Sequence, residues 1–290
     1  MTATTWEDAP AVTTRRHRAP LVRLLSSELR WIFRRPRTLV VLALLAIFPV
    51  IIGVSVQLGT DGQPETSGDA PLFVSAITNA LALPLGSLMM LLGLFLPLAV
   101  AMAGADAIAG EQSVGALRGW LLAPVVRGRL LGVKVFGVAV VAVVSAGLVA
   151  LTGLVTGLII NGTDGLFTLS GTELSLVDAL GRIGLAVAWV ALQLLAVGAV
   201  ALAISTTTEH PMLVVAMVLG GLIVSQVLGL FDALSWLHPF LLPDSWVSAL
   251  PDLLRDPIAY DTLGEGALRA VSYLVIALSL AYARIVTRDG

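Results

Sequence analysis

The 290-residue chain has no cysteine, which excludes disulfides and thiolate metal sites. Its three histidines, His17, His210 and His238, lie too far apart for a metal-ligand spacing, so no metal is expected. Charge is scarce: 12% of residues are charged, against about 25% in a soluble domain. Lysine is nearly absent, since Lys134 is the one lysine among 17 basic residues. The phosphate-cradling string Gly-x4-Gly-Lys-Ser/Thr does not occur; Gly132-Val133-Lys134 inserts a valine and lacks the hydroxyl. No Ser–His pair is suggested, and no carboxylate pair lies within the apolar runs, so catalysis by this chain is not expected. The net charge of −2 gives no reason to expect a nucleic-acid partner.

What fills the space is apolar. The chain is 57% hydrophobic with a mean hydropathy of +0.95. A membrane-crossing helix needs about 20 apolar residues. Six stretches are candidates: about 38–57, 82–105, 135–160, 183–205, 211–230 and 267–287. Pro49 is expected to kink the first. The sixth lies between Arg269 and Arg284, and is long enough if both side chains snorkel to the interface. Residues 1–20 lack the apolar core of a signal peptide and read as a disordered cytoplasmic tail. The expected fold is an all-α integral membrane protein, with residues 21–290 forming one transmembrane domain.

Basic residues near span ends resist translocation. With six crossings, 14 of the 17 Lys and Arg residues fall on one side, and 12 of the 19 acidic residues fall on the other. Both termini are therefore expected in the cytoplasm. Between the last two spans, residues 231–266 are acidic yet carry Trp236, Phe240, Leu241, Leu242, Trp246 and Leu250, interrupted by Pro239, Pro243, Pro251 and Pro257. Short helices dipping back toward the bilayer fit this pattern; so does an ordinary interfacial loop.

Two cytoplasmic segments carry more information. In residues 21–34, Arg23, Ser26, Ser27, Arg30 and Arg34 fall on one helical face. Leucines, Trp31, Ile32 and Phe33 cover the other, so an amphipathic helix lying in the interface is expected. Glu28 projects into the apolar arc, where a carboxylate is costly unless paired. A cationic partner on another cytoplasmic element is expected. The second segment, residues 104–135, starts with Asp106 and Glu111, carries a short helix over Ser113–Leu122 that Pro124 ends, and closes with Arg127, Arg129 and Lys134. A docking helix fits this pattern, as does a plain loop with basic anchors.

The order Glu111, Gly115, Leu117, Leu121, Leu122, Pro124, Arg127, Gly132, Lys134 resembles the cytoplasmic motif of ABC-2 type transporter permeases, the membrane subunits of type-2 ABC exporters. Glu28-Leu29 with Arg34-Arg35-Pro36 is similar to that family's first helix, and residues 236–254 to its re-entrant segment. The resemblance implies an interfacial connecting helix with Glu28, Arg30, Trp31 and Arg34. It implies a coupling helix in which Glu111, Gly115, Arg118, Leu121, Leu122, Pro124 and Arg127 meet a separate ABC ATPase subunit. It also implies a dimer of membrane subunits, formed with a second copy or a paralogue, in a bacterial-type plasma membrane. ATP and Mg would be bound by the ATPase, and no cofactor by this chain.

The cores of the first five runs hold no ionisable residue, which argues against ion-coupled secondary transport. A non-transporting anchor or assembly subunit would share the spans and the docking segment. Gln193, Gln226, Thr152 and Thr156 are the polar groups expected to bond across helices or to line a substrate path. Walls of this chemistry suit a lipophilic or amphipathic cargo, such as a drug, natural product or lipid.

Overall fold

The structure is a computed structural model that describes residues 21–59, 80–113, 127–162 and 172–287. The expected tail at 1–20 lies outside the described residues, as do most of the first outer loop and residues 114–126. Helix α1 spans Leu21–Arg34, and Arg35 separates it from α2, Pro36–Gly59. Next come α3 (Ala82–Leu92), α4 (Phe95–Ser113), α5 (Arg127–Asn161), α6 (Leu176–Ser205) and α7 (Pro211–Leu228). Two 3-10 turns, Asp232–Phe240 and Leu242–Ser245, lead into α8 (Trp246–Asp252), and α9 (Tyr260–Thr287) ends the described chain.

Among the described residues, five single helices are long and apolar enough to cross a membrane, and the bent pair α3–α4 makes a sixth if counted as one span. The sequence reads that pair as one straight run over 82–105. It is instead broken at Gly93 and bent by 54°. The cause is Pro97: it has no N–H to offer the Gly93 carbonyl four residues back, and its ring crowds that carbonyl. The freed oxygen accepts a 2.8 Å hydrogen bond from Gln226 Nε2 on α7. Pro49, by contrast, sits inside an unbroken α2.

The helices also run past the expected span ends. The helix that carries the third apolar run begins at Arg127, and the one that carries the sixth begins at Tyr260. The fourth begins at Leu176, where Ser175 caps it by accepting from the Asp178 N–H at 3.2 Å. Polar residues at these termini extend the helix beyond what an apolar-run criterion detects.

Helix α6 is the centre of the bundle: 61% of its apolar stretch is buried, against 17% for α2 and for α9. It packs on α4, α5, α7 and α9. Close approach needs glycine at two points. A Cβ on Gly104 of α4 would come within 2.7 Å of Ala201 Cβ, and one on Gly198 of α6 within 2.3 Å of Val138 Cγ1. The peripheral helices keep apolar residues outward, including Leu44, Ile51, Leu151, Met212, Ile276 and Leu280, as lipid-facing helices do.

The bundle has two chemically different ends. One holds α1, Glu111 and the start of α5, together with the end of α6, where Ser205 Oγ accepts from Ala109 N–H at 3.0 Å. Tyr282, near the end of α9, lies beside Gly128 at this same end. The other end holds the start of α6, the start of α9 and the folded-back segment 232–257. That segment buries Leu242, Trp246, Leu250, Leu253 and Leu254. It leaves Trp236 and Phe240 exposed.

Candidate functional site

In α1 the polar face is as the periodicity requires, with Arg23, Ser26, Ser27, Arg30 and Arg34 all exposed. Glu28 and Ile32 are its buried residues. The partner of Glu28 is Lys134, one to two turns into α5. Its Nζ donates to Glu28 Oε1 at 3.1 Å and Oε2 at 3.0 Å, and to Glu111 Oε1 near the end of α4. Only 2% of the Lys134 side chain is exposed, and 9% and 10% of the two glutamates.

An ammonium carries three donors on a compact point charge, and here all three have carboxylate acceptors. A guanidinium's planar fork is a worse match to two carboxylates converging from different helices. Trp31 lies beside the cluster, its ring centroid 5.3 Å from Lys134 Nζ. The guanidinium of Arg35 stacks on the other part of this environment, 3.3 Å from the Trp31 centroid, and pairs with Asp106 on α4. Three segments far apart in sequence are thus held by five charged groups at one end of the bundle. The cost of taking these charges out of water is offset by their mutual pairing.

Glu111 precedes residues 114–126 and Lys134 follows them, so their ion pair closes that segment at its base. Glu28 attaches α1 to the same point. Gly115, Arg118, Leu121, Leu122 and Pro124 lie outside the described residues, and Arg127 opens α5. Arg30 and Arg34 are exposed, and Trp31 is half-buried.

The four polar groups of the spans do not converge within this chain. Gln193 is fully buried; its Nε2 donates to Gly266 O at 3.0 Å, and its Oε1 accepts from Trp246 Nε1 at 3.1 Å. Gln226 serves Gly93. Thr152 donates to Leu148 O on its own helix at 2.9 Å, and Thr156 packs against Gly53 of α2. The sequence places Lys134 at a span edge and in the family motif, Arg35 just after the first helix and Asp106 at the start of the second cytoplasmic segment, but it shows none of the pairings among them. The available signal was compositional: one lysine among 17 basic residues marks a position where arginine does not serve.

At the opposite end ion pairs are also present, Arg269–Asp244 at 3.2 Å, Arg255–Asp252 at 3.1 Å and Arg182–Asp256 at 3.5 Å, but each has one partly exposed partner, and bonds to backbone carbonyls join them. Arg182 donates to Leu253 O at 2.9 Å and to Arg255 O at 2.6 Å. Trp189 Nε1 donates to Leu263 O at 3.0 Å, and Arg269 to Leu241 O at 2.7 Å. The Arg182 and Arg269 bonds satisfy backbone carbonyls in a segment that Pro239, Pro243, Pro251 and Pro257 keep from forming long helices, and the Trp189 bond ties α6 to the start of α9. Among the described residues, no group of three or more His, Cys, Asp or Glu could hold a metal ion.

The family model described as "ABC-2 family transporter protein" matches residues 22–289. The chain belongs to the ABC-2 family. No curated protein matches it. Membership makes it a multi-pass membrane protein and the membrane subunit of an ABC transporter, and it implies an ABC ATPase as partner. The described residues of that motif, Glu111, Arg127, Gly132 and Lys134, lie at the end of the bundle that holds the Glu28–Lys134–Glu111 cluster.

Proposed function

We propose that this ABC-2 chain is the permease of an ATP-driven exporter whose ATPase docks on the segment between Glu111 and Arg127. Both termini and α1 face the cytoplasm in this reading, the α3–α4 pair counts as one of six spans, and the segment 232–257 is re-entrant from the outside. Two membrane subunits, identical or paralogous, pair in the plasma membrane. Cargo passes outward along their interface. ATP and Mg are bound by the ATPase subunits, and closure of those subunits moves the docked segment.

The observation that carries the reading is the buried Lys134 bridge. A push on residues 112–126 is delivered to a point where α4, α5 and α1 are joined by charge, so it reaches the helix entrance as one displacement. A loop that served only as a basic anchor would gain nothing from a three-way buried ion cluster at its base. The cargo is lipophilic or amphipathic: the spans present an apolar surface, and Gln193, Gln226 and Thr152 are occupied by structural bonds.

The test is to replace Leu121 by Ala, and separately Glu111 by Gln, in the assembled transporter reconstituted in vesicles. Cargo movement should fall about tenfold while the ATPase still hydrolyses ATP. Normal coupling in the Leu121→Ala variant, present at wild-type levels in the membrane, would overturn the docking role.

A further inference from the structure

Beside the charge cluster, α1, α2, α4 and α5 enclose an open cleft that the proposed export cycle does not use. Its mouth is polar, with Arg35, Arg37, Thr38 and Asp106. Its wall is apolar, with Val41 and Leu42 from α2, Ala99, Met102 and Ala103 from α4, and Val141 from α5. The α4 portion runs from Ala107 to Ala99, a rise of about 12 Å. The cleft is therefore charged at the end of the bundle and apolar toward its middle, the polarity profile of a lipid's headgroup and upper acyl chain.

Glu28, Glu111 and Lys134 carry one excess negative charge and Arg35–Asp106 none, so the exposed Arg34 and Arg37 leave the region of the mouth with a net charge of +1. Asp106 is paired with Arg35, and Lys134 is taken up by Glu28 and Glu111. Arg37 at the mouth and Arg34 next to it remain exposed, with no carboxylate among their ion pairs in the described residues. Stacking on Trp31 fixes the Arg35 guanidinium in place, with 26% of its side chain still exposed. Amphipathic α1 lies at the same level, and basic pockets between membrane helices on the cytoplasmic side suit anionic headgroups.

We infer that this cleft binds one anionic phospholipid of the cytoplasmic leaflet, with its phosphate on Arg35 and Arg37 and an acyl chain along the α2–α4 wall. The lipid wedges between α1 and α2, next to the lysine that joins α1 to the bundle. It is a bound component distinct from the exported cargo. The inference takes its sidedness from the proposed orientation but does not depend on any ATPase docking.

The experiment is native mass spectrometry of the full chain, released from nanodiscs that contain phosphatidylglycerol and phosphatidylethanolamine. One phosphatidylglycerol should remain per chain. Arg37→Gln should reduce its retention about fivefold, while Arg34→Gln, the same charge change just outside the cleft, should leave it unchanged. Ala103→Phe, which fills the apolar wall without touching charge, should also reduce it; melting near wild type confirms that this variant is folded. Equal losses in the two arginine variants, or no loss in either, would show general surface attraction and overturn the site. Displacement of the lipid by millimolar glycerol 3-phosphate would show a phosphate site without an acyl component, and would overturn the lipid assignment.

Discussion

The two ends of the bundle are held by different chemistry. At the end carrying α1, side chains of opposite charge meet one another: Glu28, Lys134 and Glu111 come from three helices, with Arg35–Asp106 beside them. At the other end the ion pairs Arg182–Asp256, Arg255–Asp252 and Arg269–Asp244 are each partly open to solvent, and the buried contacts run to backbone: Arg182, Trp189, Gln193 and Arg269 donate to carbonyls between Leu241 and Gly266. Ion clusters are specific to partner and sign, and breaking one leaves a buried charge. Backbone bonds fix the shape of a proline-broken segment without a sign preference, and its ion pairs, being partly exposed, contribute less than a buried cluster. The first arrangement suits an element that receives a push from outside the chain; the second suits one that keeps a fixed form while the helices around it tilt.

Four substitutions sharpen this contrast. Lys134→Met should have the largest effect, because it leaves two carboxylates facing each other in a buried site. A loss of about 3–5 kcal/mol is expected, read as a large drop in the melting temperature of the purified chain. Little change would mean that water reaches the cluster and that the helices are held by packing alone. Glu28→Gln should cost less, since Glu111 still pairs with Lys134. Its effect should fall on assembly with the ATPase and on transport more than on melting; unchanged assembly and transport would remove α1 from the coupling element.

At the other end, Arg182→Gln loses donors to two carbonyls and should destabilise by about 1.5–3 kcal/mol. The loss should show as faster hydrogen exchange confined to residues 241–257 and the start of α6. If exchange instead rises at α1, the ends are not mechanically distinct. The smallest effect is expected from Gln226→Leu, which leaves the Gly93 carbonyl without its donor. Interhelical bonds of this kind are worth about 0.6 kcal/mol on average in a membrane protein. A much larger loss of melting temperature would mean that the α3–α4 bend depends on this bond as well as on Pro97.

Much of this was legible in the sequence, and the reasons are specific. Apolar runs of about 20 residues marked the membrane helices, and the 100° periodicity of residues 21–34 set out the polar face of α1. Glu28 was identifiable as needing a cation because a carboxylate stood in an apolar arc. Which cation was not readable, since Lys134 is 106 positions away and only tertiary packing brings it near. The full helix lengths were not readable from the apolar runs, because α5, α6 and α9 continue beyond them into polar sequence. The break at Gly93 was visible in principle, as Pro97 was in plain view within an uncharged stretch. Its resolution by Gln226 required knowing that α7 packs on α4. Gln193 and Trp246 are conspicuous polar groups in apolar surroundings, yet nothing in their spacing shows that they bond each other across 53 residues.

The most direct test of the central claim is to purify the tagged chain from its native membrane and identify what accompanies it. The account predicts a stoichiometric ATPase subunit containing Gly-x4-Gly-Lys-Ser/Thr, whose amount falls when Glu111 or Leu121 is replaced. Recovery of the chain alone, or with a stoichiometric partner that has no such motif, would contradict it.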